Sequence, residues 1–287
     1  MDNVGFWQSW FLWRDPMAVA LMAAALCAFV GVYMVLKRVV FVPAALSQMS
    51  GVGVATAFYL ASVMGVDAHA APIWLNPLWY SLLFAVAGGA LFSLNLSHRR
   101  VAGETVIGLG YLIAAAGVIL ILNSPHVTQE AHEVDVLLYG NAVAVPPEQI
   151  TIMAVTAVLV LLIHGIFGKE FVFTTFDPEM ARTLGVATKR WNLLLFFTVA
   201  LAISVSTRAI GALPVFGFMV IPPAVGLLLG GRLWSVFAIS VGVAVAGAAF
   251  GYYASFHWSL PTGASMVVTA ALFLIPGLAR LKLKGQS

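Results

Sequence analysis

The 287 residues are 62% apolar and only 9% charged, with a mean hydropathy of +1.01, and the apolar stretches recur along the whole chain, which excludes a water-soluble domain. The net charge of +3 and pI near 9.1 do not point to nucleic acid, because the basic excess sits in the short segments between apolar stretches, where membrane proteins carry it. The single cysteine, Cys27, lies inside the first apolar stretch and excludes an intrachain disulfide framework and a cysteine metal cluster.

The opening Met1–Arg14 lacks a basic leader and a small-residue cleavage site, so the first span is expected to do the targeting. Trp7, Trp10 and Trp13 suggest an aromatic stripe, and residues 1–15 are expected to form an outer interfacial segment. Charge-poor stretches then predict spans at about Pro16–Leu36, Ala44–Val66, Leu78–Leu96, Thr105–Leu122, Ile150–Phe167, Trp191–Ser206, Ile210–Gly230, Leu233–Phe256 and Pro261–Ala279. Pro214, Pro222 and Pro223 interrupt helical hydrogen bonding in the seventh stretch, which leaves room for eight full spans plus a re-entrant piece. If the spans alternate, twelve of the fourteen Lys and Arg side chains fall on one face, with Arg14 and Arg208 on the other. That face is predicted to be cytoplasmic, with the C-terminus on it and the N-terminus outside. The expected fold is an all-α, polytopic transmembrane helix bundle of about eight or nine spans, a single domain over 1–287. Gly247 with Gly251, Gly226 with Gly230, and the Gly88–Gly89 pair are expected at close helix crossings.

Between the fifth and sixth spans, in a polar loop over 174–190, runs Phe176-Asp177-Pro178-Glu179-Met180-Ala181-Arg182-Thr183-Leu184-Gly185. Asp177 suits an N-cap, Pro178 the first helical position, Glu179 the positive helix end, and Gly185 the helix stop. A capped helix of about two turns on one membrane face is expected to dock a partner protein.

No Asp, Glu, Lys or Arg lies mid-span, so an ion-coupled carrier lacks its usual intramembrane carboxylate. Ser47, Gln48 and Ser50, with Thr56 further on, are the polar groups near the start of the second span; they serve either helix-to-helix hydrogen bonding or a substrate pathway. The outer loops gather His126, Glu130, His132, Glu133 and Asp135, with Asp67, His69 and His257 elsewhere outside. His126, His132, Glu133 and Asp135 are candidate metal ligands of an outer-loop relay, although their spacing matches no defined ligand motif.

Three blocks carry a family resemblance: Gly31–Arg38 running into Ala45-Leu46-Ser47-Gln48 and Gly53; Leu137-Leu138-Tyr139-Gly140-Asn141; and Phe176–Gly185 followed by Ile210-Gly211-Ala212-Leu213 and Val220-Ile221-Pro222. From about Leu26 to the C-terminus the chain resembles the integral-membrane permeases of manganese, zinc and iron-chelate ABC importers. The resemblance implies that Phe176, Asp177, Pro178, Glu179, Arg182 and Gly185 belong to a coupling helix seated in a cytoplasmic ATPase. It implies two ATPase copies, a second permease subunit expected to be identical to this one, and an extracytoplasmic solute-binding protein that Asn141 and its neighbours face. No Walker-type loop occurs in this chain, so it is expected to be a transport subunit of the bacterial inner membrane, not an enzyme, with ATP and Mg in the partner and a divalent metal as cargo. Metal-coordinating members carry Asp four residues before His; Ala44 and Gln48 stand there here. Alternatives are therefore a chelated metal or other organic solute, and a secondary carrier.

Overall fold

The computed structural model describes residues 6, 9–66, 72–94, 102–125 and 147–284. Its elements are α1 (Trp10–Leu36), α2 (Val42–Val63), α3 (Pro77–Ser93), α4 (Gly103–Leu122), α5 (Pro147–Phe176), α6 (Pro178–Thr183), α7 (Thr188–Ile210), α8 (Ala212–Leu229), α9 (Leu233–Trp258), α10 (Thr262–Leu272) and α11 (Leu274–Lys284). Among the described residues, eight helical segments are long and apolar enough to cross a membrane, and α3 is a shorter apolar helix of 17 residues. Every backbone polar group in such a segment is satisfied along its own axis, which is why a chain of this composition folds as a polytopic helical bundle.

Helix α1 is central, packing against α5, α7, α8 and α9, while α2 packs on α3 and α4, and α9 on α10. The crossings are made where two backbones meet. A Cβ on Gly247 would lie 2.8 Å from Ala270 Cα, and one on Gly226 would lie 2.7 Å from the Val236 carbonyl oxygen. Gly89 backs onto the Phe196 carbonyl and Gly88 onto the Met49 sulfur. Small residues are placed here because lipid gives helices no hydrophobic reason to associate, so close dispersion contact must hold them.

Several boundaries differ from expectation for identifiable reasons. Helix α1 starts at Trp10, so residues 10–15 are its first turns; Trp13 turns into the bundle, where its indole Nε1 donates to the Phe6 carbonyl at 2.7 Å and its ring stacks on Phe6 at 3.8 Å. Trp7 lies outside the described residues. Helix α5 runs past Phe167 to Phe176, with a kink at Phe167 (φ −107°, ψ 19°) between Gly165 and Gly168. The seventh stretch is one continuous helix: Pro214 sits in its first turn, where no donor is lost, and Pro222 and Pro223 are accommodated inside. The break comes instead at Gly211, whose φ of 90° separates α7 from α8.

A polar knot joins three spans. Ser81 Oγ of α3 is hydrogen-bonded to both Ser50 Oγ of α2, at 2.9 Å, and Ser204 Oγ of α7. Ser81→Ala is expected to lower stability by about 1 kcal/mol, since it removes both bonds and interhelical hydrogen bonds in membrane proteins average about 0.6 kcal/mol each. Thermal unfolding in detergent measures it, and a melting temperature unchanged from wild type would show the knot to be energetically idle.

Candidate functional site

The docking helix forms as its residue chemistry dictates. Asp177 caps α6, its carboxylate accepting from the Met180 amide at 2.8 Å, with Pro178 at the first helical position. At the other end Val186 N–H donates to the Ala181 carbonyl at 2.9 Å and Gly185 N–H to the Arg182 carbonyl at 3.0 Å. Gly185 has a φ of 78°, so this is a Schellman stop in which glycine takes the left-handed position. Both ends of a six-residue helix, too short to persist alone, are thus closed.

Only one side of α6 faces the bundle. Ala181 is fully buried, whereas Phe176, Met180 and Leu184 are 59%, 53% and 64% exposed. Met180 and Leu184, four residues apart, share one side of α6, flanked by exposed Glu179 and Arg182, and exposed Phe176 ends α5 just before the Asp177 cap. Large apolar side chains in water beside charged ones are the features of an interface awaiting its partner. Met180 and Leu184 were absent from the sequence-based set; their own i, i+4 apolar spacing was the available signal.

A second feature is a groove of about 780 Å³ between α2, α4 and α8. Ala44, Ser47 and Gln48 line it, facing Thr105 and Tyr111 of α4 and Phe216 of α8. Ser47 Oγ donates to the Ala44 carbonyl at 2.9 Å, and the Gln48 side chain is part-exposed. Ser47 is only 2% exposed and Ser50 1%; Ser50 belongs to the serine knot, and Thr56 donates to the Val52 carbonyl at 2.7 Å. Of the polar residues near the start of α2, then, Gln48 presents a part-exposed amide to the groove, Ser47 lines it while bonded within its own helix, and Ser50 and Thr56 bond between or within helices.

The groove wall holds no imidazole, thiolate or carboxylate among the described residues. Nor do three or more His, Cys, Asp or Glu gather anywhere in those residues. His164 is 3% exposed in α5, with Nδ1 2.9 Å from the Val160 carbonyl and its ring enclosed by Phe29, Tyr33 and Phe171, which gives it no second ligand to share a metal with. His126, His132, Glu133 and Asp135 of the outer-loop relay, and Asn141, lie outside the described residues.

Comparison with known proteins places these features in context. The model of the ABC 3 transport family matches residues 11–280. The chain is 24% identical over 272 residues to the manganese import system permease protein ScaB of Streptococcus parasanguinis, covering 94% of this chain and 91% of that one. It is 26% identical over 190 residues to the manganese transport system membrane protein MntC of Listeria monocytogenes, 66% of each chain. In fold it is similar to PsaBC from Streptococcus pneumoniae, solved in complex with Fab, with a TM-score of 0.77, 20% sequence identity and 94% of each chain covered.

Proposed function

We propose, since this chain belongs to the ABC 3 transport family, that it is the permease subunit of an importer carrying a divalent transition metal, manganese, zinc or iron, inward across the bacterial cytoplasmic membrane. Relatives named for manganese import support the cargo class. The permease is a single transmembrane domain that works as a pair around a shared path, with two copies of a separate ATPase below and a solute-binding protein outside. The basic face, with α6 and the C-terminus, lies in the cytoplasm.

The observation that carries this reading is the doubly capped α6 with its exposed Phe176, Met180 and Leu184. That apolar surface seats in a groove of the ATPase, and Asp177, Pro178, Glu179, Arg182 and Gly185 hold the shape and charge of the joint. ATP-driven approach of the ATPases pulls on α6 and re-tilts the bundle between outward and inward openings. Cargo passes along the α2, α4 and α8 groove, past Ser47 and Gln48, while Ser50 holds that wall from behind.

The test is ATP hydrolysis by the reconstituted complex in nanodiscs, with its binding protein, across manganese, zinc, iron and nickel. Stimulation by one free metal is the expected result. The unliganded groove favours a second reading, a chelated metal or other organic solute, because Ala44 and Gln48 supply no strong ligand for a transition metal. Stimulation by a chelate with none by any free ion selects that reading. Hydrolysis indifferent to every solute would sink both.

Restoring the absent pair gives an independent check. Positions 44 and 48 line the same groove one turn apart, so Ala44→Asp with Gln48→His is expected to create one additional tight zinc site per permease, read by equilibrium dialysis. No gain in bound metal would show that the two positions do not converge.

A further inference from the structure

The end of the bundle around α6 holds a charge arrangement that passage of a cation does not use. Two clefts of about 780 and 680 Å³ lie among α6, the end of α1, α3 and the first turn of α7, and both are bordered by Lys37, Pro178, Arg182 and Asn192. Lys189 and Arg190 add to the first and Arg38 to the second, whereas no described lining residue of either is a carboxylate. A Schellman turn with Arg38 at a φ of 59° fixes the end of α1, so Lys37 is held at the cleft. Burial of its amine with no acidic neighbour lowers Lys37 to about 8, the signature of a cation lacking its counter-ion.

Other polar groups border the two clefts. Thr175 is 7% exposed, lines the second cleft, and its hydroxyl has no partner. Helix α7 begins at the first cleft; its Thr188 and Arg190 amides donate to the Val186 and Ala187 carbonyls, which leaves the Lys189 amide for an anion. Cationic side chains, a free hydroxyl and a helix N-terminus together suit a phosphoryl group.

An apolar groove distinguishes the source of that group. It measures about 470 Å³, runs between α3 and α7 along Val86, Ala90, Leu194 and Phe197, and shares Arg190 and Leu193 with the first basic cleft. A soluble anion would fill the basic cleft and leave this groove bare. A phosphate carrying an acyl chain fills both through their common wall. We propose that this site binds an anionic phospholipid of the inner leaflet, its phosphoryl group between Lys37 and Arg190 and an acyl chain in the α3–α7 groove.

Basic residues beside a membrane are in themselves only a sign of topology. Here Lys37 is partly buried, no ion pair to an acid holds any of the five among the described residues, and the first cleft opens at Arg190 and Leu193 onto an apolar groove, which topology does not require. Because the site touches α1, α3, α6 and α7, a bound lipid would brace the coupling helix against the spans. The inference rests on the inward orientation proposed above.

The complex is reconstituted in nanodiscs of phosphatidylcholine with or without phosphatidylglycerol, re-extracted, and analysed by native mass spectrometry for retained lipid. Retention of phosphatidylglycerol by wild type is expected, and Lys37→Gln with Arg190→Gln should weaken it about 30-fold, from about five-fold per basic side chain near an anionic surface. Ala90→Phe fills the apolar groove without changing charge and should also reduce retention, which guards against a double variant that fails to fold. Equal retention of the neutral lipid, or retention unaffected by either variant, overturns the proposal. Competition by inorganic phosphate as effective as by the lipid would assign the site to a soluble anion and overturn the lipid. Labelling of Lys189→Cys by an impermeant maleimide reads orientation separately: reaction from outside intact cells overturns the inward placement, and Cys27, fully buried, adds no background. Failure of every metal to stimulate hydrolysis, with lipid retention intact, would count against the cargo alone.

Discussion

Asp177→Ala in the assembled complex is expected to cut cargo-stimulated ATP hydrolysis about ten-fold while leaving the amount of folded permease unchanged. The Asp177 carboxylate accepts from the Met180 amide, and losing such a cap costs about 1 to 2 kcal/mol of helix stability. In a helix of six residues that loss is not absorbed by neighbouring turns, so the cost falls on the docked conformation itself. The spans do not depend on it, since Ala181 is the buried residue of α6 and the cap points to solvent. Adding Glu179→Ala should deepen the effect, because Glu179 lies in the first turn where a negative charge complements the helix end. Met180→Asp, which puts charge into the exposed apolar surface, should act at the joint rather than on the helix, and should lower co-purification of the ATPase. Unchanged stimulation in Asp177→Ala, with α6 intact by cysteine accessibility, would remove α6 from the coupling path.

Gly31→Ala is expected to be among the most damaging single methyls in the described residues, with Gly53 and Gly251. An added Cβ would lie 2.7 Å from Met219 Cα and closer still to the Met219 carbonyl oxygen, both backbone atoms that no rotamer change can move. Pro223 has no N–H, so that carbonyl lacks its helical donor and stands free toward α1. The glycine and the proline are therefore two halves of one contact. Overpacking of this kind costs about 3 kcal/mol, roughly a 6 °C fall in melting temperature, with loss of folded protein on extraction. Gly165→Ala is the control: nothing lies within 4 Å of its added Cβ, and the change should be neutral or gain up to about 1 kcal/mol from helix propensity. If the two variants melt together in fluorescence-detected size-exclusion, the close α1–α8 crossing is not what holds the bundle.

What the sequence disclosed and what it hid divide along physical lines. The caps of α6 were readable because Asp177, Pro178 and Gly185 each act over three or four residues of their own backbone. The spans were readable because lipid imposes a length and a composition. The prolines misled because a lost helical bond can be tolerated across a crossing, and Gly31 lies nearly two hundred residues from Met219 in the chain. Ser50 and Gln48 look alike as polar residues in one helix, yet the partner of Ser50 is on α3, and only the packed bundle separates a structural hydroxyl from a groove-facing amide. Trp13 was expected at the interface because its ring suits either medium; the Phe6 carbonyl that receives its N–H decides the matter.

The kink at Phe167 has a mechanical meaning. Beyond it, α5 continues for nine residues to Phe176, a rigid arm of about 14 Å that ends at α6. A pivot of about 10° at the kink would swing the tip of such an arm by about 2 to 3 Å, about half a helical turn and larger than the helix shifts of about 1 to 2 Å that repack an interface. Under the coupling proposed above, a partner ATPase would not have to bend the buried bundle; it would only have to turn this short lever about Phe167, so small motions at the joint would arrive at the transport path already geared.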